Sequence, residues 1–511
     1  MIEALHLLTE AEMFSANVLT HNLINAIMFK IRFFTRKSMK KHLFFDDNKL
    51  FVRENVKRKY GDAELVSIYR DPIGSTDFCT GNIFELDNGK FRLMYFAHSD
   101  SYSGKRFFSA ISDDGINFLP EDLTGMRDGE GLVASHEVML MPPHSEIACI
   151  YEDKHCDNPA ERYKMLLSEC VPDEICVIDH LYTSPDLISW SLMEGVAWGN
   201  DTEPLASVFY NEKDKMHTII ERPYWGMRCA GYKRTGDWRS YSDYQLCLNV
   251  DSLDEPLSEI YGMKAFAYDG MYIGLVHIYR GLTSELEAKY KNGIIDVQLA
   301  YSLDGKYWQR SLREPFMSGL IEHGGIDGKH HYMLWLSDIR IDGDYVYLYG
   351  SASELEHGPA FSTPGTGKIL VYRMRRDGFI SFVTENKDEP SLVATREKIW
   401  HGGEVHVGLR ASHATVAVYS TEESENVVGN VLGTAKPIDG YTHEDCLPVS
   451  GSFTDWVPEY TTGRKVDELK GKTLVFEVKF TDGELYSIAG DYTDVYNVPA
   501  ARYRKTGEMP E

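Results

Sequence analysis

Carboxyl-bearing side chains recur just ahead of apolar, strand-like runs in this sequence. Asp77 precedes Asn82–Leu86, Asp201 and Glu203 precede Leu205–Tyr210, and Glu259 precedes Met263–Tyr268. Two carboxyl groups facing each other across a cleft can cleave an acetal such as a glycosidic bond. One protonates the leaving oxygen, and the other attacks the carbon or activates water. On this reading Asp77 is nucleophile or base, Asp201 stabilises the transition state, and Glu259 is the proton donor. Glu203 stands in reserve.

The neighbours of these acids suit a polyhydroxylated ligand. Arg222 offers a planar fork of donors, and Tyr224 and Trp225 follow it with flat faces on which a ring can stack. Asn82 supplies an amide for a hydroxyl, and Tyr261 lies two residues after Glu259. His323 and His357 complete the candidate binding set. The histidines show no zinc-type spacing, so neither a metal nor another cofactor is expected.

Such residues need elements that bring them to one place. Five short runs rich in aromatic and β-branched residues follow turns: Lys90–Tyr95, Arg162–Leu167, Lys215–Ile220, Met271–Val276 and Asp344–Tyr349. Each pairs with an apolar run before it as a hairpin. Each is also followed by a third run that ends in a polar turn carrying an aromatic: Ser112–Phe118, Ser184–Trp190, Arg234–Trp238, Ser302–Trp308 and Arg375–Phe382. Five copies in one internal order predict five blades around an axis. The expected fold is all-β: a five-bladed β-propeller over residues 43–388, then a β-sandwich over residues 389–511. Residues 1–42 are expected as a short helical extension, with Met1–Phe34 amphipathic. The segments leading into each innermost strand would line one mouth of an axial funnel, which is where the acids fall.

Charge narrows the partners. The chain carries 53 basic and 78 acidic residues, a formal net charge of −25, which repels phosphate backbones and anionic lipid. Nucleic acid is therefore not expected, and no apolar run is long enough for a membrane span. A small neutral carbohydrate is the expected partner. The N-terminal helix could also dock on a second copy, so a homo-oligomer stays open. The 8 cysteines are scattered without a CxxC pair, as in a cytoplasmic protein.

The stretch from about residue 44 to 505 resembles bacterial proteins related to glycoside hydrolase family 32 and, more remotely, family 43. The resemblance rests on Leu43-Phe-Phe-Asp-Asp47, on Asp201-Thr with Arg222, on Glu259–Gly274, on Asp296–Trp308 and on Arg376–Ser381. It implies a catalytic propeller supported by a sandwich, and a glycosidase acting on furanosides of fructose or arabinose type or on a related oligosaccharide. The chain departs from family 32 in lacking its Trp-Met-Asn-Asp-Pro-Asn-Gly segment. It also carries Arg70-Asp71-Pro72 in the first repeat, not the second. Two other readings remain: a propeller that binds carbohydrate without cleaving it, and a phosphorylase using Arg222 and Arg228 for phosphate.

Overall fold

The computed structural model describes residues 39–73, 79–99, 104–128, 130–170, 177–199, 202–223, 227–281, 293–361, 363, 368–421 and 435–495. The helix expected over Met1–Phe34 lies outside these residues. The regular secondary structure of the described part is almost wholly strand, as the aromatic content predicts. The described part divides into two compact units, one of Phe44–Asp46 with Arg58–Ser381, the other of residues 39–43, Asp47–Lys57 and 382–495.

In the Arg58–Ser381 unit, hairpin follows hairpin. The first sheet runs Cys79–Glu85, Phe91–Ser99, Gly104–Ser112 and Leu119–Pro120. The second runs Ser145–Glu152, Tyr163–Cys170, Val177–Ser184 and Ser191–Leu192, and the third Thr202–Asn211, Met216–Pro223, Ala230–Thr235 and Gln245–Leu248. Glu259–Tyr268, Met271–Arg280 and Ile294–Ser302 form a fourth antiparallel group. Met333–Asp342, Tyr345–Ser353 and Ile369–Arg375 form a fifth, completed by Ala63–Tyr69 from the start of the unit. A single parallel pair, Ile295 with Met333, joins the fourth group to the fifth.

The first strands of these five groups touch in a closed order. Cys79–Glu85 meets Ser145–Glu152, then Thr202–Asn211, Glu259–Tyr268 and Met333–Asp342 follow, and the last meets Cys79–Glu85 again. Apolar side chains fill each gap between neighbours. Phe84, Phe107 and Met165 pack between the first and second sheets, and Leu166, Trp198 and Ile219 between the second and third. Phe209, Ile260 and Trp308 pack between the third and fourth, Tyr261, Ile295 and Trp335 between the fourth and fifth, and Tyr69, Tyr95 and Tyr349 between the fifth and first.

Four of the five polar turns share one construction. The Oγ of Ser112, Ser184 or Ser302, and Oγ1 of Thr235, accepts from the backbone N–H three residues on, at 2.8–2.9 Å. The aspartate two residues after each (Asp114, Asp186, Asp304, Asp237) accepts from the next pair of backbone N–H groups. The third position takes positive φ: Gly115 at 72°, Leu187 at 70°, Trp238 at 59° and Gly305 at 75°. Leu187 and Trp238 accept a conformation that favours glycine because their side chains are buried. The fifth copy differs, since Asp377 Oδ1 instead accepts from the Tyr268 hydroxyl at 2.8 Å.

Glu137–Met139 is a short strand on the third strand of the first sheet. One boundary moves. Glu259 is the first residue of its strand, not a loop residue.

In the other unit, Lys40–Leu43 is a strand paired with Thr473–Asp494, Leu43 opposite Ser487, so residues 40–42 are not helical. Lys398–Ser420 lies along the same long strand, with Val407 opposite Ile488 and Ser420 opposite Leu474. Thr473–Asp494 runs as one strand through Asp482, at φ 39°. Gly483 permits this, because a Cβ there would sit 2.3 Å from the Arg410 carbonyl oxygen.

Candidate active site

In an antiparallel hairpin the first strand begins where the second ends. The lead-in segments and the connections from second to third strand therefore gather at one end of every sheet. At that end Glu259 pairs with Tyr279, and a register shift between Ile260 and Gly262 breaks the ladder beside Tyr261.

A compact polar and aromatic cluster results. Arg228, on the connection that leaves the third sheet's second strand, donates from Nη1 to Glu259 Oε2 at 2.5 Å. The two side chains are 36 % and 23 % exposed, so a ligand can reach the pair. The Arg228 guanidinium lies 5.5 Å from the Tyr261 ring centre and 5.2 Å from that of Tyr279. Arg222 packs its own guanidinium 4.5 Å from the Tyr261 ring and donates to the Tyr261 carbonyl at 2.8 Å. His357 Nε2 and the Tyr261 hydroxyl are hydrogen-bonded at 2.9 Å. Burial works against the charged Arg228, but the Glu259 carboxylate more than offsets it and raises its pKa. For the Tyr279 phenol burial itself raises the pKa.

Of the residues expected at a site, Glu259, Arg222, Tyr261 and His357 thus come together. Glu259 is placed as an acceptor, and it must leave Arg228 before it can donate a proton. Backbone register sets Glu203 opposite Arg222. Asp77, Asp201, Tyr224 and Trp225 lie outside the described residues. His323 ends a single exposed turn, Ile321–His323, and no contact joins its side chain to the cluster among the described residues.

Asn82 sits deeper and is committed to the protein. Its amide donates to Asp338 Oδ2 at 3.2 Å and accepts from the Ile150 N–H at 3.0 Å. Asp338 Oδ2 also accepts from the Ile83 N–H at 3.0 Å. Lys264 donates to the Ala148 carbonyl at 3.0 Å and to that of Ala206. Each of the five first strands contributes to this clasp. Five residues separate Glu259 from Lys264 along one strand, about 16 Å, so the clasp forms a floor well below Glu259. Desolvation pushes the Asp338 carboxyl up to about 6 and moves the Lys264 ammonium down.

The clasp and the Arg228–Glu259 pair were not read from the sequence as contacts. The clasp's signal was a charge inside an apolar run, Lys264 in Met263–Phe266 and Asp338 in Leu336–Ile339. Among the described residues no group of three or more His, Cys, Asp or Glu side chains is arranged to hold a metal ion.

No protein-family model matches the sequence, and no curated protein matches it. Solved structures do. A β-1,2-mannobiose phosphorylase from Listeria innocua is 11 % identical with a TM-score of 0.40, covering 66 % of this chain and 97 % of its own. A glycosyl hydrolase from Bacteroides ovatus is 13 % identical with a TM-score of 0.39, covering 62 % and 94 %. A thermostable family-43 glycoside hydrolase is 13 % identical with a TM-score of 0.38, covering 62 % and 92 %. Likenesses of this strength carry neither a fold nor an activity over to this chain.

Proposed function

We propose that the Arg58–Ser381 unit is a five-bladed β-propeller whose mouth processes a glycosidic bond, and that the C-terminal region from about residue 389 is a β-sandwich. The propeller reading is supported by the closed order of the five first strands and the five apolar layers between them. The functional reading is carried by one observation: a reachable carboxylate, Glu259, paired with Arg228, whose guanidinium lies over the rings of Tyr261 and Tyr279. An acid beside flat aromatic faces and forked donors suits a sugar ring more than an apolar or polyanionic ligand. Glu259 works with a second carboxyl group, for which Asp77 and Asp201 are the candidates. Furanosides of fructose or arabinose are the first linkages to test, in a cytoplasmic setting.

A panel of fructosides, arabinosides and mixed oligosaccharides, incubated with and without inorganic phosphate, tests this. Sugar release independent of phosphate is expected. Release that requires phosphate makes the protein a phosphorylase. Saturable binding with intact sugar after long incubation removes the catalytic reading.

A further inference from the structure

A second polar cluster lies at the same end of the fifth sheet, apart from the Glu259 cluster. Lys329 and His331 belong to the segment leading into Met333–Asp342. Glu354 and Lys368 bracket the connection between the second and third strands, the one that also carries His357. Lys329 Nζ donates to both Glu354 oxygens, at 3.2 and 3.1 Å, and Lys368 Nζ donates to Oε1 at 3.4 Å. His331 Nε2 stands 3.8 Å from the same oxygen, beyond hydrogen-bond reach.

Three features of this cluster exceed what anchoring a loop requires. First, the Lys368 side chain is 1 % exposed, yet its ammonium has one acceptor, at 3.4 Å, among the described residues. An ammonium offers three donors, and burying it short of acceptors is costly. Second, the ladder pairs Ile369 with Tyr69. Just beyond the end of that ladder Lys368 follows on one strand's side and Arg70 on the other's, and Arg70 is exposed and has no ion pair among the described residues. Like charges facing each other across strands destabilise a sheet unless an anion lies between them. Third, the His331 side chain is wholly buried and its Nε2 has no hydrogen-bond partner among the described residues. Nδ1 faces the Lys329 carbonyl at 3.4 Å, which must accept, so in the neutral ring Nε2 is a bare acceptor. Lys329, Lys368 and Arg70 against Glu354 leave two surplus positive charges in a protein of net charge −25.

We infer that this cluster is an oxyanion subsite for a sugar bearing a carboxylate or phosphate, with Glu354 holding the ligand's place when none is bound. The inference rests on the carbohydrate reading of the same mouth and adds an acidic group to its substrate. Lys368, Lys329 and Arg70 take the oxyanion. His331 Nε2 accepts from an adjacent hydroxyl, and Glu354 swings aside.

Titration calorimetry of the full chain with glucuronate, glucose 1-phosphate, inorganic phosphate and glucose separates the sources. Saturable binding of glucuronate or a phosphate, with none of glucose, is expected. Arg70→Gln and Lys329→Gln, both exposed positions that leave the core intact, should weaken it at least fivefold. Glu354→Gln should tighten it severalfold by freeing the ammonium groups. Tighter binding of glucose 1-phosphate than of inorganic phosphate assigns the anion to the sugar, and glucuronate alone assigns a carboxylate. Absence of anion binding in both wild type and Glu354→Gln, or binding that ignores Arg70→Gln and Lys329→Gln, overturns the subsite. Turnover of neutral glycosides without anion binding would sink this inference and leave the glycosidase reading standing. Anion binding with every glycoside untouched would do the reverse.

Discussion

Glu259 is held by a single cation, and that cation rests on two phenol rings. An ion pair with both partners partly in solvent contributes about 0–1 kcal/mol to stability, so its purpose is position. Arg228→Met should therefore shift the melting temperature by no more than a few degrees while lowering kcat/KM at least tenfold, both read on the same preparation. The clasp beneath behaves differently, because it is removed from water. Asp338 has its carboxyl pushed up to about 6 from the ordinary 3.8 by desolvation. A carboxyl whose folded pKa exceeds its unfolded value favours the fold at low pH. That contribution is whole below about 4 and is lost as pH rises through about 6. Urea midpoints measured from pH 4 to pH 8 should show this fall, and Asp338→Asn should flatten it. An unchanged slope in Asp338→Asn would assign the titration elsewhere.

Turns and strands were the most legible elements. Asp304 accepts from the N–H groups of Lys306 and Tyr307 at 2.8 and 2.9 Å, and the Ser-x-Asp order that builds this turn is local and visible in the chain. Asp304→Ala should cost about 1–2 kcal/mol in urea unfolding, because two backbone donors lose their acceptor. A change below about 0.3 kcal/mol would show that the carboxylate is dispensable. Gly350 is a different case. A Cβ there would meet the Trp335 carbonyl oxygen at 2.1 Å, so Gly350→Ala should lower stability by about 1–3 kcal/mol. Hairpins, polar turns and the position of Glu259 before an apolar run follow from spacing of a few residues, which a linear reading detects. Arg228 with Glu259 spans 31 residues, and Asn82 with Asp338 spans 256. Such pairs depend on how sheets are arranged side by side, which no local pattern encodes. Asn82 shows the consequence: its place near a strand start suggested a ligand contact, while the fold uses its amide between sheets.

At the scale of the Arg58–Ser381 unit, the account depends on five sheets meeting through their first strands. Lys264 binds two of the other first strands at once, through Ala148 and Ala206, as Asn82 does through Ile150 and Asp338. Lys264→Met should cost about 1–3 kcal/mol, since it leaves two buried carbonyls without a donor. A cost under 1 kcal/mol in urea unfolding would mean that the apolar layers alone hold the sheets together. The functional claim is tested most directly by comparing the rate of sugar release from the best glycoside of the panel by wild type and by Glu259→Gln at matched concentration. The account predicts a loss of at least a hundredfold with melting temperatures within a few degrees of each other. Turnover in Glu259→Gln equal to wild type would contradict it.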